Sequence, residues 1–228
     1  MAHPAELASA PLAEGLCIAL PKGRIADVAI PLLARAGLDL GPALAAAGRR
    51  LQVDARGVRL LLVKPVDVPT YVEHGIADLG IAGLDTLAEE DRDLYAPVDL
   101  GIGACRLAIA EPTQRPVALR PGVEVRVATK YPRLALRHYR AKGIQPRIIP
   151  LFGSVELGAI TGLADQIVDL VESGETLRQN DLREVETILH VTSRLIVHPA
   201  SLKLKRDPVD RVIAAIRRAV ELDPARTP

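Results

Sequence analysis

The stretch LCIALPKGRIADVAIPLLARAG, residues 16–37, sets the pattern from which the fold is predicted. Its first five residues are apolar and of strand length, and the polar loop Pro21-Lys22-Gly23 ends that run. From residue 25 onward apolar residues recur at helical spacing until Gly37, a residue type that commonly follows a helix. The stretch therefore predicts a buried strand, a short loop and an amphipathic helix.

The same alternation of strand and helix continues along the chain. A hairpin is predicted over 52–63 with Arg56-Gly57 as its turn, and a closing helix over 207–222 with Asp207 as its cap. Further strands are predicted within 77–83, 123–129, 164–171 and 185–198, and further helices within 68–75, from residue 84, and within 131–143. Strands that alternate with helices predict an α/β fold with mainly parallel sheets.

Composition excludes several classes of protein. The 228 residues include 29 Lys plus Arg and 28 Asp plus Glu, a net charge of +1, and 49% are hydrophobic, so neither a disordered chain nor a non-specific polyanion binder is expected. Four Tyr, one Phe and no Trp argue against stacking of nucleic-acid bases. The apolar runs are too short to span a membrane.

Compartment is predicted from the amino end and the cysteines. Residues 1–15 lack the basic and apolar regions of a signal peptide, and Cys17 and Cys105 form no CxxC pair. We therefore expect a cytoplasmic protein with two reduced thiols and without nucleic-acid or membrane partners.

An internal echo suggests two similar lobes. Gly75-Ile76-Ala77-Asp78 and Gly162-Leu163-Ala164-Asp165 each precede a predicted buried strand. A four-residue echo also arises by chance, so it does not establish a duplication. The echo is compatible with two mixed α/β lobes and a cleft between them, because ligands of such sheets bind beyond the carboxyl ends of the strands. The predicted division places 1–105 and 190–228 in the first lobe and 106–189 in the second.

The stretch ADQIVDLVESGETL, residues 164–177, is the strongest candidate site. Asp169 stands near the end of a predicted buried strand, and a hydroxyl-rich turn, Ser173-Gly174-Glu175-Thr176, follows four residues later. Glycine allows close approach of the backbone, and backbone N–H groups at a helix start favour a phosphate. The pattern also fits a turn in which Ser or Thr caps a helix without any ligand.

Three more candidate groups follow predicted strands. They are Lys22-Gly23-Arg24, the stiff segment around Lys64 between Val63 and Pro69, and the pair Gly83 and Asp85. Solvated cations, a rigid connector and a helix cap are the alternatives without a ligand. Together the groups predict one anion-binding cleft, and the histidines have no spacing typical of metal ligands.

The segments LPKGRI, VKPVDVPTYVEHGIADLGIAGLD, ATKYPRLA and GSVELGAITGLADQIVDLVESGETL resemble ATP phosphoribosyltransferases along nearly the whole chain. The resemblance implies a two-lobed fold like type II periplasmic binding proteins. It also implies transfer of 5-phosphoribosyl from phosphoribosyl pyrophosphate (PRPP) to N1 of the adenine of ATP, with release of pyrophosphate and with Mg²⁺, as the first step of histidine biosynthesis.

The resemblance also assigns residues. It implies that PRPP is bound by Glu156, Asp165, Asp169, Ser173, Gly174, Glu175 and Thr176. It implies that ATP is bound by Lys22, Gly23, Arg24, Arg49, Lys64 and Asp85. Lys22, Arg24, Lys64 and Asp169 are the expected catalytic residues, and no side chain is assigned to the metal. Adenine N1 carries no proton, so we expect positioning and electrostatics to drive the reaction.

Length points to the short form of the family, because the chain ends soon after the helix predicted to end near Leu222. The resemblance then implies a regulatory subunit similar to histidyl-tRNA synthetase, a homodimer within a hetero-octamer, and weak or absent inhibition of the isolated chain by histidine. A solute-binding or sensor module of the same shape is an alternative, and a phosphoribosyltransferase with another acceptor is a second one.

Overall fold

The computed structural model describes residues 12–92, 94–120 and 122–223. The expectation about the first fifteen residues falls mostly outside these ranges. Among the described residues, no helix is long and apolar enough to span a membrane. Cys17 and Cys105 are half-buried and form no disulfide.

Helices and strands alternate along the described chain. The first part contains β1 (Cys17–Pro21), α1 (Arg24–Arg35), α2 (Gly41–Ala45), β2 (Gln52–Ala55), β3 (Val58–Val63), a 3₁₀ turn (Pro65–Asp67), α3 (Val68–Glu73), β4 (Leu79–Gly83), α4 (Leu84–Glu90) and β5 (Tyr95–Asp99). The middle part contains β6 (Cys105–Pro112), β7 (Val125–Thr129), α5 (Pro132–Ala141), β8 (Pro146–Pro150), α6 (Glu156–Ile160), β9 (Gln166–Val171), α7 (Glu175–Gln179) and β10 (Leu182–Val191). The last part contains β11 (Ser193–Val197), α8 (Ser201–Leu204) and α9 (Arg206–Glu221).

The chain forms two compact units. The first holds the described residues up to Gly83, Arg92–Gly103 and those from Ser193 onward, and the second holds Leu84–Asp91 and Ala104–Thr192. Helix α4 therefore belongs to the second unit, whereas the predicted division placed it in the first lobe. The reason is a contact between helices distant in sequence, because the Glu89 carboxylate accepts the N–H groups of Arg133 and Leu134 in the first turn of α5.

The first unit is built on a six-stranded sheet of order β2-β3-β1-β4-β11-β5. Strand β1 is parallel to β3 and β4, and the other three pairings are antiparallel. Its core packs apolar residues of β1, β3 and β4 against the buried faces of α1 and α9. Gly80 allows α3 to approach β4, because an added Cβ would lie 2.8 Å from side-chain carbons of Val68 and Val72.

The second unit is built on a five-stranded sheet of order β10-β6-β9-β7-β8. Strand β7 is parallel to β8 and β9, and the pairings of β6 with β9 and β10 are antiparallel. Both sheets are thus mixed, and the expectation of mainly parallel sheets was wrong. Burial alternation is the same in both strand directions, so the sequence pattern does not distinguish them.

Two further differences from the predicted elements concern the last third of the chain. The segment 185–198, within which one strand was predicted, contains most of β10 and all of β11, which lie in different sheets and are separated by Thr192. Asp207 lies inside α9, which begins at Arg206 and has no side-chain cap.

Candidate functional site

Three parallel strands of the second unit end at one edge of its sheet. Strands β7, β8 and β9 end at Thr129, Pro150 and Val171, so the segments that follow them start at this edge. Segment 173–176 is the predicted phosphate turn, and Glu156 begins the helix after β8. The structure therefore brings the turn, Asp169 and the loop leading to Glu156 to one edge.

The turn after β9 is held in place by its own side chains. The Glu175 N–H donates to Ser173 Oγ at 3.3 Å, and Arg178 Nη1 donates to the Ser173 carbonyl at 3.1 Å. Gly174 has φ +76°, a left-handed conformation that favours glycine. These bonds draw the Ser173 carbonyl toward Arg178 and leave the exposed Thr176 in the first turn of α7.

Two arginines that are not among the predicted site residues flank the turn. Arg106 Nη1 donates to the Glu172 carbonyl at 3.0 Å, and its Nη2 lies 2.6 Å from Glu184 Oε2. Arg106 and Arg178 also line a cavity of about 400 Å³ along α7. Arg106 is hydrogen-bonded to Glu184 and Arg178 to Glu175, and these bonds lower the pKa of both glutamates. The positive charge of both arginines is therefore compensated.

Two predicted PRPP residues have other partners in the structure. The Glu175 carboxylate accepts hydrogen bonds from Arg178 and Gln179 of its own helix. Asp165 precedes the amino end of β9, at the opposite end of that strand from the turn, and binds the Arg126 guanidinium. The structure therefore does not bring Asp165 together with residues 173–176, and its contact with PRPP stays a prediction that the geometry disfavours.

Asp169 forms an ion pair within the second unit. Its Oδ1 lies 3.2 Å from Lys130 Nζ and accepts the Leu170 N–H at 2.7 Å. Lys130 directly follows β7, whose last residue pairs with Val168 of β9. The side chain of Asp169 is mostly buried and that of Lys130 is partly exposed.

Tyr131 connects this edge to helix α4. Its hydroxyl donates to Asp85 Oδ2 at 2.7 Å, and both residues are buried. Burial, followed by the nearby Asp85 carboxylate, raises the pKa of Tyr131, so its hydroxyl remains a donor at neutral pH. Asp85, predicted to contact ATP, is thus engaged inside the second unit, and the prediction did not anticipate that role.

The other predicted ATP residues lie at one edge of the first sheet. The Lys22 N–H donates to the Val63 carbonyl at 2.8 Å, so Lys22 and Lys64 follow paired strand ends. Arg49 precedes β2, whose first residue pairs with Leu61, and its backbone therefore reaches the same edge. Gly23 has φ +82° and precedes Arg24, the first residue of α1. Lys22, Arg24, Arg49 and Lys64 are exposed.

No metal site is evident within the ranges that the structure describes. Among those residues, no group of three or more His, Cys, Asp or Glu side chains is placed to hold an ion. Asp169, near the end of β9, is already paired with Lys130. No side chain is therefore assigned to Mg²⁺, whose involvement stays an expectation.

The comparisons with known proteins identify the family. The family model described as ATP phosphoribosyltransferase matches residues 64–218, more than half of the chain. The chain belongs to the ATP phosphoribosyltransferase family. A relative of that name from Halalkalibacterium halodurans is 47% identical over 214 residues, which cover 92% of this chain and 99% of the relative. Another from Sorangium cellulosum is 49% identical over 205 residues, 90% of this chain and 95% of the relative.

Solved structures agree with this assignment. A chain of the ATP phosphoribosyl transferase (HisG:HisZ) complex from Thermotoga maritima is similar, with a TM-score of 0.79 and 35% identity over 91% of this chain and all of that chain. A substrate-binding protein of an amino acid ABC transporter matches with a TM-score of 0.54 at 14% identity, over 90% of this chain and 93% of that one, which shows the fold alone. The predicted type II periplasmic-binding-protein-like fold is confirmed.

The predicted enzyme class is confirmed as well. The chain is a pentosyltransferase that moves phosphoribosyl from PRPP to N1 of the adenine of ATP, the first step of histidine biosynthesis. Lys130 and Tyr131 lie in ATKYPRLA, one of the segments that carry the resemblance, but neither is among the predicted site residues. Lys130 stands two residues before α5, as Lys22 stands two residues before α1, so the strand-end rule that selected Lys22 also applies to Lys130.

Proposed function

We propose that the second unit binds PRPP at the turn after β9 and that the cationic edge of the first unit binds ATP. The turn supports the phosphate position, since Ser173 and Thr176 supply hydroxyls and Gly174 permits close approach of the backbone. In this proposal Asp169, five residues before Gly174, accepts hydrogen bonds from ribose hydroxyls. Lys22, Arg24, Arg49 and Lys64 supply positive charge for triphosphate.

The chemistry needs electrostatic stabilisation more than proton transfer. The lone pair of adenine N1 forms a bond to the anomeric carbon of PRPP, and the bond from that carbon to the pyrophosphate oxygen breaks. The bonding pair leaves with pyrophosphate, so negative charge grows there while the sugar carbon becomes oxocarbenium-like. Lys22, Arg24 and Lys64 are the proposed groups that stabilise the growing charge. No base is required because N1 has no proton to lose.

Mg²⁺ is proposed to enter with the phosphates of the substrates. When bound there, it would reduce the charge that the leaving pyrophosphate carries.

A regulatory partner is proposed for this chain. The support is the Thermotoga maritima chain, which this chain covers in full and which comes from a HisG:HisZ complex. A subunit similar to histidyl-tRNA synthetase, a homodimer within a hetero-octamer and a cytoplasmic location stay predictions. Size-exclusion chromatography with light scattering, on the chain alone and with a co-expressed partner, tests the assembly.

The observation that carries the function is the family match over most of the chain, and substrate dependence tests it directly. Purified protein is mixed with Mg²⁺, PRPP and one nucleotide or base at a time, and pyrophosphate release is measured. Release only with ATP supports the proposal. Release with another base would indicate a different acceptor, and binding of PRPP without release would indicate a solute-binding module.

A further inference from the structure

Lys130 and Asp169 form a defined pair at the edge where PRPP is proposed to bind. Thr129 of β7 pairs with Val168 of β9 in a parallel register, so the next residues on the two chains are Lys130 and Asp169. Their Nζ and Oδ1 atoms are 3.2 Å apart. The pair thus arises directly from strand register rather than from two flexible surface side chains that meet.

One carboxylate oxygen of Asp169 is engaged within the protein, and the other is available to accept hydrogen bonds. Lys130 Nζ and the Leu170 N–H both approach Oδ1. From the described residues, Oδ2 receives no hydrogen bond. An aspartate held through one oxygen offers the second in a fixed direction, which suits acceptance of hydrogen bonds from a ligand's hydroxyl groups.

Lys130 is itself held by contacts among the buried residues Thr129, Tyr131 and Asp85, which together are called the brace below. Its Nζ lies 5.3 Å from the centre of the Tyr131 ring, within the range of a cation–π interaction. Tyr131 is fixed at both ends, because its hydroxyl donates to Asp85 and its N–H donates to Thr129 Oγ1 at 2.8 Å. The Thr129 hydroxyl in turn donates to the Val168 carbonyl at 2.7 Å, which joins β7 to β9 beside Asp169.

Helix α4 completes the brace from its side. Asp85 and Glu89 are one helical turn apart, and they bind the Tyr131 hydroxyl and the first N–H groups of α5 respectively. The segment that carries Lys130 is therefore fixed on both sides: the residues before it belong to β7, and the residues after it are bound by α4.

Charge explains why such a pair is useful. A lone carboxylate would repel the phosphate and pyrophosphate groups of PRPP, whereas an adjacent ammonium compensates its charge and leaves its hydrogen-bonding capacity. We propose that Lys130 is a positioning residue for PRPP, which orients and charge-compensates Asp169, and that Tyr131 and Asp85 hold Lys130 in place. This inference rests on the proposed PRPP site and assigns roles to Lys130 and Tyr131, for which the family resemblance implied none.

The test compares Lys130→Met with Lys130→Arg and a matched control. Lys142→Met is the control, because the Lys142 side chain is also 39% exposed and pairs with Glu186 in the same unit. PRPP affinity is measured by calorimetry, and KM for PRPP and ATP by steady-state kinetics. We expect Lys130→Met to weaken PRPP binding about 10- to 100-fold while KM for ATP changes less than about threefold.

The remaining comparisons separate positioning from direct contact. Lys130→Arg should restore PRPP binding to within about threefold, and Lys142→Met should leave it unchanged. In an Asp169→Asn background, Lys130→Met should add no further loss, because its effect passes through Asp169. The inference would be overturned if the fold-losses of PRPP affinity from the two single variants multiplied in the double variant. It would also be overturned if Lys130→Met bound PRPP as tightly as Lys142→Met. If the unmodified protein binds no PRPP, the proposed function fails instead.

A second readout follows from the brace. Tyr131→Phe removes only the hydroxyl that binds Asp85, so we expect a smaller rise in KM for PRPP, about 3- to 10-fold, with kcat nearly constant. A change in unfolding midpoint alone, without a change in KM for PRPP, would show that the brace is structural only and would overturn its part in the inference.

Discussion

Asp165 and Arg126 form a reciprocal pair at the amino end of two parallel strands. The Asp165 N–H donates to the Arg126 carbonyl at 2.9 Å, and the Arg126 N–H donates to Asp165 Oδ2 at 2.9 Å. The guanidinium of Arg126 adds two hydrogen bonds to the same carboxylate. These hydrogen bonds join the start of β9 to the start of β7.

The first unit contains the same arrangement around Asp78. Its N–H donates to the Cys17 carbonyl and its Oδ2 accepts the Cys17 N–H, both at 2.8 Å, at the start of β4 and β1. The aspartates that end the two copies of the short sequence echo, Asp78 and Asp165, thus have the same structural role in the two units. In each unit the aspartate satisfies a backbone N–H that a parallel pair leaves open at its amino end.

Asp165→Asn should therefore affect folding and leave PRPP use almost unchanged. We expect the free energy of unfolding to fall by about 1–2 kcal/mol, because charge-assisted hydrogen bonds to a partly exposed arginine are weakened. The KM for PRPP should stay within about twofold. Urea unfolding and steady-state kinetics on the purified variant measure the two quantities.

Asp169→Asn is the matched variant, with the same chemical change on the same strand. Its KM for PRPP should rise about tenfold or more, and its unfolding free energy should fall by less than about 1 kcal/mol. If the two variants exchanged these effects, Asp165 would be a substrate ligand as the family resemblance implied.

The free energy of unfolding of both units should decrease at acidic pH, because Asp78 and Asp165 lose their negative charge there. Burial raises the pKa of Asp78, but hydrogen bonds from Lys205, Ser201 and the Cys17 N–H outweigh it and hold that pKa below its usual value. Hydrogen bonds from Arg126 likewise lower the pKa of Asp165. A carboxyl with a lowered folded-state pKa stabilises fully above its unfolded pKa of about 3.9, and this is lost as pH falls through the folded value.

Urea unfolding between about pH 5 and 2 checks this expectation, since the unfolding free energy should decline across that window. Asp78→Asn should flatten the decline. Ser201→Ala, which removes the 2.6 Å hydrogen bond to Asp78 Oδ1, should cost about 1.5–3 kcal/mol near neutral pH. A pH slope for Asp78→Asn equal to that of the unmodified protein would contradict the assignment.

Local sequence was sufficient for much of the fold. The Arg56-Gly57 turn was predicted from residue type, and both residues have positive φ, at +50° and +79°, as a two-residue hairpin turn requires. The strand ends that carry the proposed site residues also followed from periodicity. Lys22 and Lys64 were placed after strands, and the structure puts those strands side by side.

Other features depend on contacts that local patterns do not encode. A strand was predicted within 185–198, yet this segment spans parts of two strands with different partners: β10 pairs with β6, and β11 pairs with β4 and β5. Partner choice is a long-range property, as is the ion pair between Lys205 and Asp78, 127 residues apart. The role of Asp85 was missed for the same reason, because Tyr131 lies 46 residues further along the chain.

Gly174→Ala should damage both the turn and PRPP binding. Gly174 has φ +76°, and an added Cβ would lie 3.3 Å from Arg178 Nη1, the atom that donates to the Ser173 carbonyl. A left-handed alanine costs about 1–2 kcal/mol, and movement of Arg178 would open the turn, so we expect KM for PRPP to rise about tenfold.

Gly143→Ala separates backbone strain from the loss of the phosphate turn. Gly143 has φ +72° and nothing within 4 Å of an added Cβ, so it should lower the unfolding free energy by a similar amount without affecting PRPP. Thermal unfolding and kinetics measured side by side provide the comparison. Equal KM values for the two variants would argue against a phosphate in the turn after β9.

Lys22→Met and Lys64→Met should weaken ATP use without destabilising the first unit. Both side chains are exposed, while the Lys22 backbone bond to Val63 remains in either variant, so unfolding free energies should change by less than about 0.5 kcal/mol. Loss of one cation near the triphosphate should raise KM for ATP about tenfold, and the loss should shrink at high ionic strength, where such interactions are screened. Lys203→Met, which removes an exposed lysine of α8, is the control. A salt-independent effect, or an equal effect of Lys203→Met, would show that the edge formed by β1 and β3 does not meet the nucleotide.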